Sequence, residues 1–318
     1  MHMQNTLPVF LVSKDVHSDF SDDQIVNMFL ASCDRSPYTI RNYRNAIERF
    51  RLFIGHKPLK DVTWREVEAY KLSLGKGMFT KTNKPQAPAT IAIQIAPLRS
   101  LYKWGSDPNI GLFPQNPTTC VRLPKIPVTS SHHYLTKSEA IGLIEQLKKQ
   151  GHRNYLIGLT LLMLGLRVSE LVGIEERDFH TDPQETSVWL TIRGKGGKER
   201  EVKVPAMLWQ LLSSYIAKNR KNHDKHEEGQ RLFPVSVRGV EKIIKKARED
   251  WGVGKKVTPH WLRHTNATLA LLNGASLQQV QESLGHTHIN TTQRYLHTVQ
   301  QIQKAAPDYV EDWLKKHL

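Results

Sequence analysis

Apolar residues recur at three- and four-residue intervals over most of this chain, and the starts of those runs carry helix-capping residues. Ser21, followed by Asp22, Asp23 and Gln24, makes a capping-box start for a helix bearing Ile25, Met28 and Phe29. Ser36 before Pro37 opens a second helix, in which Ile40, Tyr43, Ile47, Phe50 and Ile54 line one buried face. Thr63 to Glu66 caps a third, and a fourth runs from Ala89 to Trp104 with Ile91, Ile95, Leu98 and Tyr102 on one side and a kink expected at Pro97. Residues 21–107 therefore read as a bundle of four or five helices, and residues 1–20 as a loose tail. The stretch 108–131 holds Pro108, Pro114, Pro117, Pro124 and Pro127 with little periodicity, and reads as an extended linker.

The helical pattern resumes at the capping box Thr136 to Glu139, ahead of a helix whose Ala140, Leu143, Ile144 and Leu147 face inward. Tyr155 to Leu166 is so nearly all apolar that it predicts a buried helix, with Arg167 leaving from its end. From Thr186 to Pro205 the period changes to two: Val188, Leu190 and Ile192, then Gly194-Lys195-Gly196-Gly197, then Val202 and Val204, a β-hairpin with a glycine-rich tip. Helices follow to the end. Thr258-Pro259 is an N-cap with proline at the first helical position, which puts His260 and Arg263 one turn apart on one face. Gly285 closes a helix opened by Ser276 and Gln279, and Asn290 starts another that carries Tyr295. The last segment, with Asp308, Tyr309, Val310, Trp313 and Leu314, is a capped amphipathic helix whose plain reading is packing on its own domain. The fold expected is mainly α with a small β-sheet, the second domain spanning 132–318.

Composition adds a partner class. With 45 Lys+Arg against 30 Asp+Glu the formal charge is +15, which favours polyanions, although a ribosomal or anionic-membrane protein would show the same balance. A length of 318 residues with 39% hydrophobic content suits two domains with sizeable cores. No apolar run reaches the roughly 18 residues of a membrane span, and no signal pattern opens the chain. Two cysteines, Cys33 and Cys120, are too few for a disulfide framework. The expectation is a cytoplasmic protein.

Six polar residues carry candidate chemistry, and each has a plain alternative. Arg167 could merely cap carbonyls or pair with Glu170; its place directly after a buried run also suits a phosphate clamp, whose planar fork matches two oxygens. Lys195 could be an ordinary solvated charge; a Walker A reading of its loop fails, because Ile192 and Glu199 stand where glycine and Ser or Thr are needed. His260 and Arg263 share a helix N-terminus, itself an anion site. Zinc at His260 and His264 is disfavoured, since Trp261 occupies the place of the metalloprotease glutamate. His286 could be a packed loop residue, and Tyr295 core filler.

Taken together, Gly165-Leu166-Arg167-Val168-Ser169-Glu170-Leu171, the Gly194-Lys195-Gly196 turn, His260-x-x-Arg263, Leu284-Gly285-His286 and Tyr295 resemble the tyrosine recombinase family of phage integrases and Xer proteins. The resemblance covers the second domain, and the first resembles the family's core-binding, SAM-like domain through weaker motifs. It implies an α/β catalytic domain in which Tyr295 attacks a DNA phosphate to give a 3′-phosphotyrosyl link. Arg167 and Arg263 would neutralise the transition state, His260 accept the phenolic proton, Lys195 protonate the leaving oxygen, and His286 hydrogen-bond a non-bridging oxygen. The cationic cluster would activate the phenol, and Glu170 would orient its neighbours. Arg41, Arg44, Arg49, Arg51 and Lys198 would contact double-stranded DNA.

Neither cofactor nor metal would be needed. The protein would be a monomer in solution and a tetramer on DNA, homomeric or shared with a second recombinase, its last helix docking on a neighbour. About 20 residues precede the bundle, which with the short spacing from Lys195 to His260 suggests a minimal Xer-like or small mobile-element enzyme. Two other functions stay open: a type IB topoisomerase-like relaxing enzyme, and a DNA-binding repressor or accessory protein without catalysis.

Overall fold

The computed structural model describes residues 20–78, 83–126, 133–194, 197–221, 230–303 and 306–317. The expected tail lies, but for Phe20, outside these residues, as do Lys195, Gly196 and the end of the expected linker. The chain divides into two compact units between Pro127 and Val128.

The first unit is built on α1 (Asp22–Ser32), α2 (Pro37–Phe53), α3 (Trp64–Lys76) and α4 (Pro88–Gly105). Each of the first three starts as its capping residue dictates: Ser21 and Gln24 satisfy one another's backbone N–H, Ser36 accepts from Thr39, and Thr63 and Glu66 form a second capping box. Ile47, Phe50, Tyr70, Leu74, Ile95, Leu98 and Leu101 are fully buried, while Ile40, Tyr43 and Ile54 pack at the margin. One helix runs through Pro97, whose ring is buried.

The segment expected as an open linker from 108 is, as far as Leu123, part of this unit. Phe113 packs its ring on Tyr102 at 4.9 Å, both Leu112 and Phe113 donate to the Gly105 carbonyl at 2.9 Å, and Val121 is buried. Arg99 and Lys71 donate to the carbonyls of Val121 and Arg122. Prolines prevent helix here but not burial, and Leu112, Phe113, Val121 and Leu123 supply the apolar surface.

In the second unit α5 (Lys137–Lys149), α6 (His152–Leu164) and α9 (Val237–Trp251) enclose a core with α8 (Ala206–Lys221) and one face of a small sheet. The sheet has three antiparallel strands, β1 (Phe179–Thr181), β2 (Val188–Arg193) and β3 (Glu199–Val204), in the order β1-β2-β3. Leu190 pairs with Val202 and Val188 with Val204, so the inward residues of the hairpin fall on one face. The first strand was not expected; three residues are too short to show alternation. The short α7 (Val168–Leu171) follows α6 and packs against α6 and α9. A second apolar cluster joins α10 (Pro259–Leu272), α11 (Leu277–Leu284) and α12 (Ile289–Gln303) through Ala267, Leu271, Val280, Leu284, Tyr295 and Val299. The last helix, α13 (Ala306–His317), has no buried residue, and Tyr309, Val310, Trp313 and Leu314 are exposed on it. No described helix is long and apolar enough to cross a membrane.

Candidate phosphate site

Helix α6 ends because Gly165 adopts φ +61°, and the chain must also pass close to α10 and α11 there. A Cβ at 165 would meet Asn266 Oδ1 at 2.6 Å and Leu284 Cδ2 at 2.7 Å. The turn throws Arg167 to the start of α7, one residue beyond the buried Leu166, with its side chain 45% exposed. Glu170 reaches back to it: the Arg167 N–H and Nη1 each donate to the Glu170 carboxylate at 2.8 Å. Arg200, on β3, donates both Nη groups to the same carboxylate at 2.9 Å and its Nε to the Ser283 carbonyl at 3.0 Å. Burial would raise the Glu170 carboxyl, but the hydrogen bonds from Arg200 and Arg167 outweigh it and hold it at about 2.

Arg263 is 1% exposed. From α10 it donates to the Gly165 carbonyl at 2.7 Å and the Leu284 carbonyl at 2.6 Å, tying the turn that carries Arg167 to the turn that carries His286. Burial, then the neighbouring Arg167, lowers its guanidinium to about 10. Three guanidiniums and one carboxylate leave two positive charges in excess among Arg167, Glu170, Arg200 and Arg263, a balance that suits an anion.

Gly285 ends α11 in the left-handed region, φ +64°, and presents His286, whose Nδ1 shares a 2.9 Å hydrogen bond with the buried Thr292 hydroxyl. Burial and the charges of Arg263 and Arg167 lower His286 to about 4, and burial and the same two arginines lower His260. Both shifts favour the neutral imidazole. Tyr295 is 8% exposed, its ring parallel to His286 at 6.4 Å. The expected activation of the phenol by the cations is overridden here: burial raises Tyr295 above its ordinary value against the lowering pull of Arg263, Arg294 and Arg167.

An open cavity of about 820 Å³ is lined by Arg167, Glu170, Lys198, Arg200 and His286, and by the hairpin residues Arg193 and Gly194 that precede Lys195. His260 and Tyr295 do not line this cavity and are joined by a residue that the sequence offered only as a zinc ligand. The His264 ring lies 4.3 Å from His260 and 5.2 Å from Tyr295, its Nδ1 is buried without a hydrogen bond, and burial and His260 lower it to about 4. Its place one turn after His260 was the signal available. Arg200 had no such signal. Among the described residues no group of three His, Cys, Asp or Glu could hold a metal ion.

In the first unit, Arg41 lies over the Tyr38 ring at 5.3 Å and Arg44 donates to Asn27 at 2.9 Å, both exposed. Arg49 is partly buried. Arg51, also expected as a DNA contact, is 12% exposed and pairs within the unit with Asp23 at 2.6 Å and Glu48 at 3.1 Å.

Excess guanidinium, imidazoles and a tyrosine gathered in the second unit make a candidate site for a phosphate. Residues 133–301 match the phage integrase family and residues 23–107 the N-terminal SAM-like domain of phage integrases. A tyrosine recombinase of Pseudothermotoga lettingae is 32% identical over 268 residues, 84% of this chain and 89% of that protein. Tyrosine recombinase XerC of Listeria welshimeri is 30% identical over 303 residues, 89% and 95% of the two chains. In structure, XerH bound to a palindromic difH substrate superposes with a TM-score of 0.69 at 20% identity over 92% of this chain and 85% of that one. A lambda integrase dimer on a COC' core site gives 0.66 at 19% over 87% and 78%; at these identities the likeness is one of fold. The chain belongs to the phage integrase family of tyrosine recombinases and is a tyrosine-type site-specific recombinase.

Proposed function

We propose that the chain cuts and rejoins the strands of a specific duplex DNA site through a 3′-phosphotyrosyl intermediate, exchanging them by way of a Holliday junction in a tetramer. The observation that carries this is the buried Arg263, which ties the turns bearing Arg167 and His286 into one cationic pocket beside Tyr295. The Tyr295 oxygen attacks phosphorus as the bond to the 5′-oxygen breaks. A phenol raised by burial needs a base, and the neutral His260 takes its proton while Lys195 protonates the leaving 5′-oxygen. Arg167 and Arg263 stabilise the charge that builds on the phosphate oxygens. In the tautomer whose Nδ1 accepts from the Thr292 hydroxyl, the His286 Nε2–H donates to a non-bridging oxygen. The bond energy stays in the protein link, and attack by a partner strand's 5′-hydroxyl reverses the step.

Arg41, Arg44, Arg49 and Lys198 hold the backbone; solved relatives are named as bound to difH and to a core site. The exposed apolar face of α13 supports docking on a neighbouring protomer, and loss of residues 307–318 is expected to spare single-site binding and abolish synapsis. Incubation of wild type and Tyr295→Phe with nicked duplexes tests the reading. A covalent band from the wild type alone supports it; DNA shifted by both with no covalent band sinks it.

A further inference from the structure

Arg200 touches three segments with one guanidinium. Its two Nη groups engage both oxygens of the Glu170 carboxylate on α7, its Nε holds the Ser283 carbonyl at the end of α11, and its own strand β3 starts four residues after Lys195 in the sequence. Its stem lies so close to Gly285 that a Cβ there would meet Arg200 Cδ at 2.7 Å. The side chain is 14% exposed, and its charge faces a carboxylate that is 4% exposed. Arg200 is thus fixed at one end by the Ser283–Gly285 backbone and committed at the other to Glu170, so it does not bind phosphate itself. What it controls is the second ligand of the same carboxylate. Arg167 shares both Glu170 oxygens with it: Oε1 takes one Nη from each arginine, and Oε2 takes the Arg200 Nη2 and the Arg167 backbone N–H.

We propose that Arg200 is the positioning residue of this site, aiming the Arg167 guanidinium at the scissile phosphate by holding Glu170 against the end of α11. A bidentate guanidinium fixes the plane of a carboxylate, which a single ammonium or amide cannot do. Without it Glu170 keeps only Arg167 and is free to turn, and Arg167 turns with it. Misplacement of a charged group by about 1 Å costs on the order of 100-fold in rate. Duplex affinity, set by many phosphate contacts elsewhere, is unaffected.

The inference rests on the recombinase reading, and the full-length chain tests both. The rate of covalent complex formation is measured on a nicked duplex carrying a cleavable site, with either the ordinary phosphate or an uncharged methylphosphonate at the scissile position. The neutral linkage removes the charge that Arg167 balances, so the deficit of Arg167→Ala shrinks on it. Arg200→Gln is expected to bind the duplex as wild type does, to cleave phosphate about 10–100-fold more slowly, to recover on methylphosphonate as Arg167→Ala does, and to add little to Arg167→Ala in the double variant. Arg200→Lys, which keeps the charge but not the fork, is expected to show an intermediate deficit with the same recovery, and it decides the matter should Arg200→Gln lose duplex binding through misfolding. A wild-type rate in either variant, or a deficit equal on both linkages and multiplicative with Arg167→Ala, overturns the proposal. A wild type that forms no covalent complex overturns the recombinase reading along with it.

Discussion

Two half-buried imidazoles are expected to make the second unit sensitive to mild acid. His264 and His286 are both lowered by burial to about 4, against an ordinary value near 6.5. Between these limits the unfolded chain binds more protons than the folded one, so stability falls as pH drops through the window and returns above it. A displacement of this size is worth about 3 kcal/mol per group at full strength. The two rings repel one another when charged and both reach solvent in part, so their contributions overlap; on the order of 3 kcal/mol is expected for the pair between pH 7 and pH 4.5. Glu170 and Glu66, both held at about 2, keep their charge and their stabilisation across this interval, which leaves the histidines to dominate it. Urea unfolding midpoints at several pH values, for wild type, His264→Asn and His286→Gln, measure the effect. Each variant is expected to flatten the curve between pH 4.5 and 6.5. Curves of equal slope in all three proteins would refute the assignment of these rings as neutral buried groups.

Other substitutions read out the scaffold separately from the chemistry. Arg263→Lys keeps a charge but cannot reach the Gly165 and Leu284 carbonyls together; it is expected to cost about 1–3 kcal/mol in urea unfolding and about 100–1,000-fold in cleavage rate. Thr292→Val removes the partner of His286 Nδ1 at constant volume, with a loss of about 1 kcal/mol in stability and a larger relative loss in cleavage than in duplex binding. Gly285→Ala places a methyl group against Arg200 in a left-handed turn, and about 1–3 kcal/mol is expected from backbone strain alone, seen as a lower unfolding temperature.

The helices were legible because their beginnings are chemical: Ser21, Ser36, Thr63, Thr136 and Ser276 cap the starts at which they stand. The hairpin was legible because alternation places Leu190 opposite Val202. Arg200 was not, because it stands in the charged run Glu199-Arg200-Glu201, where an inward arginine looks like a solvated strand face and its partner lies 30 residues away. His264 was not, because what makes it matter is the ring of Tyr295, brought in by another helix. The stretch from 108 to 123 misled because prolines mark the absence of helix, and burial of Phe113 and Val121 follows from contacts that no local pattern encodes. Tyr295 misled in a subtler way. Its cationic neighbours are evident in the motifs, but whether they or burial set the phenol is a contest decided by packing depth.

The charge arrangement ties these threads to the substrate. Arg263 is oriented by two carbonyls and Arg167 by Glu170, so the donors are in place before any phosphate arrives, which is what preorganisation requires. Burial first, and then the same cations, lower His286 and His260 below the ordinary imidazole range. An anion in the pocket offsets the cations and allows the imidazoles to take up protons, so anion binding and proton binding must favour one another by linkage. Sulfate is a simple probe of that coupling. It is expected to raise the urea midpoint of the second unit more at pH 5 than at pH 7.5, beyond the general salting effect, and the general effect is isolated by repeating the series with Arg167→Ala. An equal sulfate effect at both pH values, or an undiminished pH difference in Arg167→Ala, would mean that the histidines and the arginines do not share one anion site.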